Sequence, residues 1–443
     1  MAITATRMED GSFRFSGRSY SPTEDKNNAL AKYGCMVRNW GVVLVLLPDE
    51  SQKNSLMQQI GNARFVRNRY LEDRNKYYED KKQILSPSEY KKSWLPKLKK
   101  EYEYLNLSDK FALEASIEHV DTAFKKFYNK EANFPKSASE YKPSGNQYTT
   151  KYTNGNITVA WQDGRPCLKL PKVGFVPFIL QKGKNLEDIV PNWAKILSCS
   201  IKKSSVGFTA SLQMETVITK PVFPTTVNVR DILAADVGLK TFATVVGEDG
   251  SEKIENPRWI RLHARRLRRF QQALARKKYD KKTHTGSKNR EKARLRVAKE
   301  YRKCANQRKD FHHKLSRIIA DSCTVFVCED LNIKGMVKNR HLSKEISSVG
   351  WGSFLAMVKY KMENAGKYFL RVGRFYASSQ ICSKCGYKNP EVKDLSVREW
   401  VCPKCGAKHD RDVNAGMNMI NEGIRILSGM GVSVEHTGDI AVA

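Results

Sequence analysis

Ile232-Leu-Ala-Ala-Asp-Val-Gly238 decides the reading of this chain: an apolar strand pattern that runs into one acid and a glycine. Thr241–Val246 follows as a second strand pattern, Glu248-Asp-Gly250 as a turn and Ser251–Glu255 as a third strand, so the segment reads as a three-strand meander. Further on, Thr324-Val-Phe-Val-Cys328 is an apolar strand that ends at Glu329-Asp330. An amphipathic segment from Phe354 to Ala365 and a strand, Tyr368–Val372, come next, and Asp412 opens a helical pattern running through Met417 and Ile420. A single acid at a strand end often does no more than terminate the strand. The order is more informative. Asp on the first strand of a meander, Glu after a later strand and Asp at a late helix are three acids from separate elements, an order suited to one shared metal site. Carboxylates from two strand ends and a helix start supply hard oxygen ligands for Mg²⁺ or Mn²⁺. Two such ions roughly 4 Å apart grip a phosphodiester, one activating water and one stabilising the leaving 3′ oxygen. Asp236, Glu329 and Asp412 are therefore the candidate catalytic and metal-binding acids.

Between the second and third acids stand Cys382-Ser-Lys-Cys385 and Cys402-Pro-Lys-Cys405, two Cys-x-x-Cys knuckles separated by sixteen residues. This is the spacing of a zinc ribbon, in which four thiolates close a tetrahedral Zn²⁺ site that is structural rather than catalytic. Gly386 and Gly406 follow the knuckles and suit the tight turns that aim backbone amides at the sulfurs. The remaining cysteines, Cys35, Cys167, Cys199, Cys304, Cys323 and Cys328, form no pattern and read as reduced thiols. His312, His313 and His409 are assigned no chemistry, because the acids already supply the metal ligands.

A chain of 443 residues exceeds a typical single core, so more than one domain is expected. Lys and Arg number 78 against 46 Asp and Glu, and a formal charge of +32 is self-repulsive unless a polyanion neutralises it. Nucleic acid fits that requirement. A membrane does not: there is no run of about 18 apolar residues, and the longest, Val42–Pro48, is strand-sized. Met1–Lys32 is polar, with Glu9, Asp10, Glu24 and Asp25, and lacks the basic start and apolar stretch of a signal peptide, so the protein reads as intracellular.

The charge concentrates in Arg258–Arg317, which carries 23 Lys and Arg against four acids. It resembles two basic helices broken near Thr283–Ser287. Either a solvated helical face or a phosphate-binding surface explains such a run, and the net +19 favours the second. Arg265, Arg268, Arg269, Lys277 and Arg308 are its candidate nucleic-acid contacts. In the N-terminal half, Gly41–Leu47 reads as a strand, and helical spacing runs from Ser55 to about Gln83 and from Ser108 to Lys130, with Ser108 as the expected N-cap. On the first of these helices Arg64, Arg67 and Tyr70 are candidate contacts. Stacking on bases and packing in a core account equally for the tyrosine. Between Phe134 and Pro224 short alternating runs and turn signals indicate strands.

Asp236-Val-Gly-Leu-Lys-Thr-Phe-Ala243, Asn306-Gln-Arg-Lys-Asp310, Glu329-Asp-Leu-Asn-Ile-Lys-Gly-Met336, Ser378-Ser-Gln-Ile-Cys382, Cys402-Pro-Lys-Cys-Gly406 and His409-Asp-Arg-Asp-Val-Asn-Ala415 resemble the motifs of the TnpB family. These are transposon-encoded RNA-guided DNA nucleases, close to compact type V CRISPR effectors. The likeness covers 230–425 and is looser over Arg64-Phe-Val-Arg-Asn68, Phe134-Pro-Lys136 and Leu170-Pro-Lys-Val-Gly174. Gly373, where the family often carries Asp or Asn, and Gly416, in place of a usual Ala, depart from it. The resemblance implies an α/β multi-domain protein in which a β-rich wedge domain carrying a helical recognition insertion precedes an RNase H-like (RuvC) nuclease domain with an inserted zinc ribbon. The expected boundaries are a mobile or peripheral polar extension over 1–36, wedge over 37–54 and 134–225, and recognition helices over 55–133. The nuclease follows over 230–378, with basic helices at 258–317, then the ribbon over 379–409, the last nuclease helix over 410–425 and a tail over 426–443.

The resemblance also selects Asp412 over Asp410 as the third acid. It implies a guide RNA, double-stranded target DNA cut beside a short adjacent motif, Mg²⁺ or Mn²⁺ at the acids, structural Zn²⁺, and a prokaryotic cytoplasmic setting with the nucleoid as the place of action. Two other classes stay open at this point: a guided DNA-binding regulator that does not cut, and a transposase, whose strand-transfer chemistry uses the same acids.

Overall fold

The computed structural model of the chain describes residues 3–17, 22–140, 145–280, 285–339, 341–374, 376–394 and 396–435. It divides into two units, Met1–Lys220 and Pro221–Ala443, with the junction at the start of the Pro221–Thr226 stretch that reads as a linker.

In the first unit the opening residues have structure of their own, which corrects the expectation of a mobile or peripheral extension over 1–36. β1 (Thr4–Arg7) and β2 (Phe13–Ser16) form an antiparallel hairpin and α1 (Pro22–Leu30) follows. Ala5, Leu30 and Val37 are buried together, with Phe13, Phe15 and Tyr33 packed around them. These residues are too far apart in sequence to produce a periodic signal. β3 (Cys35–Leu46) begins six residues before the expected Gly41 start, because pairing with a later strand continues through Cys35–Trp40, where Arg38 and Asn39 interrupt the apolar run. α2 (Glu50–Lys81) starts at a capping box in which Asp49 accepts from the amide of Gln52 and the Gln52 side chain accepts from the amide of Asp49.

α3 (Lys110–Tyr128) is capped by Asp109, not by Ser108 as expected. The carboxylate accepts from the amides of both Phe111 and Ala112, which one hydroxyl does less well, while the Ser108 hydroxyl accepts from Asn62 instead. β4 (Gln147–Lys151), β5 (Thr158–Gln162), β6 (Arg165–Leu170), β7 (Gly174–Pro177), β8 (Lys195–Ser204) and β9 (Gly207–Thr219) complete the unit. They form a four-stranded antiparallel sheet in the order β3-β9-β8-β4 and a three-stranded sheet β5-β6-β7. Tyr70 lies in the core between the helices, fully buried, its hydroxyl donating to the Leu85 carbonyl at 3.0 Å and its ring 4.7 Å from that of Tyr90. It is therefore a packing residue and not a base-stacking one.

The second unit opens with β10 (Thr226–Asn228) and then the meander β11 (Ile232–Val237), β12 (Thr241–Gly247) and β13 (Gly250–Glu255). The basic segment folds into α4 (Ala264–Ala275) and α5 (Lys288–Ser322); of the break at Thr283–Ser287, Thr283 and His284 lie outside the described residues. β14 (Val325–Glu329), α6 (Trp351–Asn364), β15 (Tyr368–Val372), β16 (Glu399–Val401), β17 (Lys408–Asp410), α7 (Arg411–Gly429) and β18 (Ser433–Glu435) follow. Of the expected tail, 426–429 continue α7, β18 pairs in parallel with β10, and 436–443 lie outside the described residues. No helix among the described residues is long and apolar enough to cross a membrane.

The main sheet has the order β13-β12-β11-β14-β15, antiparallel across the meander and parallel from β11 through β15. β14 shows no alternation because both its faces are covered. Phe326 and Cys328 face the layer of α5 and α6, with Ile319, Phe354 and Val358, while Val325 and Val327 face Met419, Ile420 and Leu427 of α7. α7 sits unusually close to the strands. A Cβ built on Gly416 would stand 2.3 Å from Val246 Cγ2, and one on Gly423 would stand 2.7 Å from Val327 Cγ2.

This spacing separates two glycine substitutions that helix propensity alone would treat alike. Gly61→Ala in α2, where a new Cβ meets nothing within 4 Å, is expected to stabilise by about 0.5–1 kcal/mol. Gly416→Ala is expected to destabilise by about 1–3 kcal/mol, since Val246, itself buried, must shift to admit the methyl. Thermal unfolding of the two variants checks this, and a Gly416→Ala protein melting at or above the wild-type temperature contradicts the close packing.

Candidate active site and cysteine cluster

β11 and β14 run side by side in parallel with Ala235 opposite Cys328, so Asp236 and Glu329 come next on their strands at the same level. Side chains alternate along a strand, and Ile232, Ala234, Val325 and Val327 all belong to the core layer shared with α7. Asp236 and Glu329 have the same parity as these residues and so project toward the α7 side. Asp412 lies in the first turn of α7. All three acids are half-buried.

Their charges act on one another. Burial first, then the Glu329 and Asp412 carboxylates, push the Asp236 carboxyl up to about 7, while Arg411 and Arg398 pull against that rise. Glu329 Oε1 accepts from the Ser378 hydroxyl at 2.8 Å, and Arg398 Nη1 stands 3.6 Å from Asp412 Oδ1. Asp410 is differently occupied. Its carboxylate caps α7, accepting from the amides of Asp412 and Val413, and pairs with Lys253 Nζ at 2.6 Å. Burial raises the Asp410 carboxyl, but the Lys253 hydrogen bond and the amides outweigh burial and hold it below the ordinary range. Hard oxygen donors crowded and partly desolvated at the ends of two inner strands are chemically suited to a divalent cation, which relieves their mutual repulsion.

The four knuckle cysteines are, among the described residues, the one group of three or more His, Cys, Asp or Glu whose ligand atoms all lie within 4.8 Å of one another. The three carboxylates do not gather that tightly. Cys382 and Cys405 sulfurs are 3.7 Å apart and those of Cys385 and Cys402 3.5 Å, a donor set that fits a tetrahedral thiophilic ion. Gly386 and Gly406 adopt φ of 72° and 71°, and each donates its amide to the carbonyl of the first cysteine of its knuckle. Open space surrounds both, so the left-handed backbone rather than crowding selects glycine. His409, left without a role by the sequence, is buried with Nε2 3.0 Å from the Cys382 sulfur and its ring 4.7 Å from Trp400. Its position four residues after Cys405 was the available signal. Elsewhere, burial pushes the thiols of Cys199, Cys323 and Cys328 up to about 12, which keeps them protonated.

The candidate nucleic-acid contacts divide. Arg265, Arg268, Arg269 and Lys277 are exposed, and Leu267 is the one buried residue of α4, so this helix presents its guanidinium groups on the face opposite Leu267. Arg64, Arg67 and Arg308 are half-buried and already engaged. Arg64 donates to the Gly145 carbonyl at 3.2 Å, Arg67 to that of Lys136 at 3.2 Å, and Arg308 to those of Ser347 and Ser348 at 3.1 and 2.9 Å. These three hold loops and helix ends in place, a use of arginine that charge counting does not distinguish from phosphate binding.

Residues 211–340 match the family model described as "Probable transposase", and residues 351–419 match that described as "Cas12f1-like, TNB domain". Residues 36–83 match one described as "Helix-turn-helix domain", although here that span is β3 followed by the single long helix α2. A Streptomyces pristinaespiralis protein named "Putative RNA-guided DNA endonuclease" is 30% identical over 383 residues, 85% of this chain and 87% of its own length. An Escherichia coli protein of the same description, InsQ, is 26% identical over 401 residues, 86% of this chain and 92% of its own. Among solved structures, that of a Cas12f1-sgRNA-target DNA complex matches in fold with a TM-score of 0.54 at 16% identity, covering 83% of this chain and 82% of that one.

The crowding at Asp236 has a consequence for stability. Its carboxyl ionises near 3.8 when unfolded and near 7 when folded, so the native state holds a proton that the unfolded chain has lost. Stability from this group is intact below pH 4, falls as pH rises toward 7 and stays low above it. Without added Mg²⁺ or Mn²⁺, Asp236→Asn is expected to melt higher than wild type at pH 8, by on the order of 2–4 kcal/mol, with the difference shrinking toward pH 5. Melting curves at the two pH values check this, and equal destabilisation at both contradicts it.

Proposed function

This chain belongs to the TnpB family of RNA-guided DNA endonucleases, and we propose from that premise that it cuts double-stranded DNA selected by base pairing with a guide RNA bound to the protein. The observation that carries the proposal is the registration of Asp236 and Glu329 at one level of adjoining parallel strands, on the side covered by the helix that begins with Asp412. An antiparallel meander continued by two parallel strands supports an RNase H-like, RuvC-type nuclease domain with the ribbon inserted before its last helix.

Asp236, Glu329 and Asp412 would hold Mg²⁺ or Mn²⁺, and Cys382, Cys385, Cys402 and Cys405 a structural Zn²⁺. Bound divalent ions supply an activated water and stabilisation of the leaving 3′ oxygen. The chain's own contribution is to fix the carboxylates: Ser378 fixes one oxygen of Glu329, and Asp410 anchors the turn from which Asp412 projects. In this reading the sheets of the first unit form a wedge, and the helices between β3 and β4 form a recognition insertion for DNA beside the adjacent motif. The exposed arginines of α4 contact phosphates, which gives affinity without sequence information and leaves target choice to base pairing. The protein would act in the cytoplasm, on nucleoid DNA.

The test is the full chain loaded with the RNA that co-purifies with it, supplied with a matching plasmid. Asp236→Ala, Glu329→Ala and Asp412→Ala are each expected to lower cleavage by on the order of 10³-fold or more while RNA and DNA binding persist. Full cleavage by all three variants would overturn the assignment of the acids. Products with free ends, rather than joined strands, separate cleavage from transposition. Replacing Arg265, Arg268 and Arg269 together by Ala is expected to reduce the slope of log affinity against log salt by about 2 to 3, and an unchanged slope counts against phosphate contact by α4.

A further inference from the structure

Ser378, Asn414 and Asn418 are 5%, 2% and 2% exposed, and burying polar side chains so completely is unfavourable unless their hydrogen bonds are met. They are met in one connected set. Asn418 Nδ2 donates to the carbonyls of Ser378 at 2.7 Å and Ile381 at 2.6 Å. Asn414 Nδ2 donates to the Ile381 carbonyl at 2.7 Å, and its Oδ1 accepts from the Ser383 amide at 3.0 Å. Asn414 and Asn418 are four residues apart, on one face of the helix whose first turn carries Asp412. At the other end of the set, the Ser378 hydroxyl donates to Glu329 Oε1 at 2.8 Å.

We infer that Ser378 is a positioning residue for Glu329, held in register by an asparagine clamp that also grips the backbone on both sides of Cys382. The inference rests on the reading of Glu329 and Asp412 as metal ligands. The Ser378 hydroxyl occupies one oxygen of Glu329 and orients the other, as hydrogen-bonded groups behind metal ligands do generally. The hydroxyl is carried by the Ser378 backbone, which is held on one side by its amide donating to the Tyr376 carbonyl and on the other by its carbonyl accepting from Asn418. The strand acid, the helix acid and the first cysteine knuckle thus share one frame. The ribbon supports the acid site through Ile381 and Ser383 without contributing a ligand to it.

Ser378→Thr and Ser378→Val test this as a pair of nearly equal shape that differ in the hydroxyl, so any burden of fitting a larger side chain falls on both. Mn²⁺ binding to the full chain is read from the electron paramagnetic resonance signal of free Mn²⁺, with zinc content measured alongside. Thr is expected to bind Mn²⁺ within about 3-fold of wild type and Val 10- to 100-fold more weakly, both retaining zinc. Cleavage by the Val variant is expected to recover as Mg²⁺ is raised. Equal Mn²⁺ affinity of the two variants, or loss of zinc by Val alone, overturns the positioning role. Glu329→Gln separates the two levels: if it binds Mn²⁺ like wild type, the ligand reading itself has failed, whatever the Ser378 pair shows.

Discussion

Helix α7 lies against the sheet at a distance that a methyl group would not permit, at Gly416 over Val246 and again seven residues on at Gly423 over Val327. Two turns of helix separate these points, so they recur on the same side and set both the height and the axis of the helix. Met419, Ile420 and Leu427 fill the layer around them. The first turn then comes to the C-terminal ends of β11 and β14, which carry Asp236 and Glu329. A side chain at either glycine would lift the helix, and Asp412 is the residue that would move. Glycine at position 416 is thus a matter of packing with consequences for the acids.

That approach concentrates negative charge on a molecule whose formal net charge is +32. Burial and the neighbouring carboxylates together push the Asp236 carboxyl up, and Arg411 and Arg398 relieve this only in part. The positive surplus lies on exposed faces such as α4, where it attracts a polyanion over distance. The acids, half-buried beside one another, instead present hard oxygen donors at the C-terminal ends of two inner strands.

Arginine shows how a single residue type divides between these uses. Arg265, Arg268 and Arg269 are exposed along a helix that buries one leucine, whereas Arg64, Arg67 and Arg308 donate to backbone carbonyls of loops and helix ends. Tyr70, interleaved with arginines in the sequence, is fully buried against Tyr90. Burial and partner, rather than spacing, separate the two groups.

Local pattern made much of this protein legible. Strands announce themselves by apolar content, as Val325–Cys328 does; the cysteine knuckles announce themselves by spacing and trailing glycines; and the three candidate acids stand at or near the ends of their elements. Each of these signals depends on residues within a few positions of one another. What tertiary structure alone decided depends on residues far apart: the small core that orders the N-terminal hairpin through Ala5, Leu30 and Val37, and the choice of Asp109 over Ser108 as a cap. The pairing of Asp410 with Lys253 and the buried path from Glu329 through Ser378 and Asn418 to the cysteine knuckle belong to the same class. Periodicity measures how a segment faces its surroundings. Which surroundings it meets is set by packing across the chain, and no window of sequence contains that.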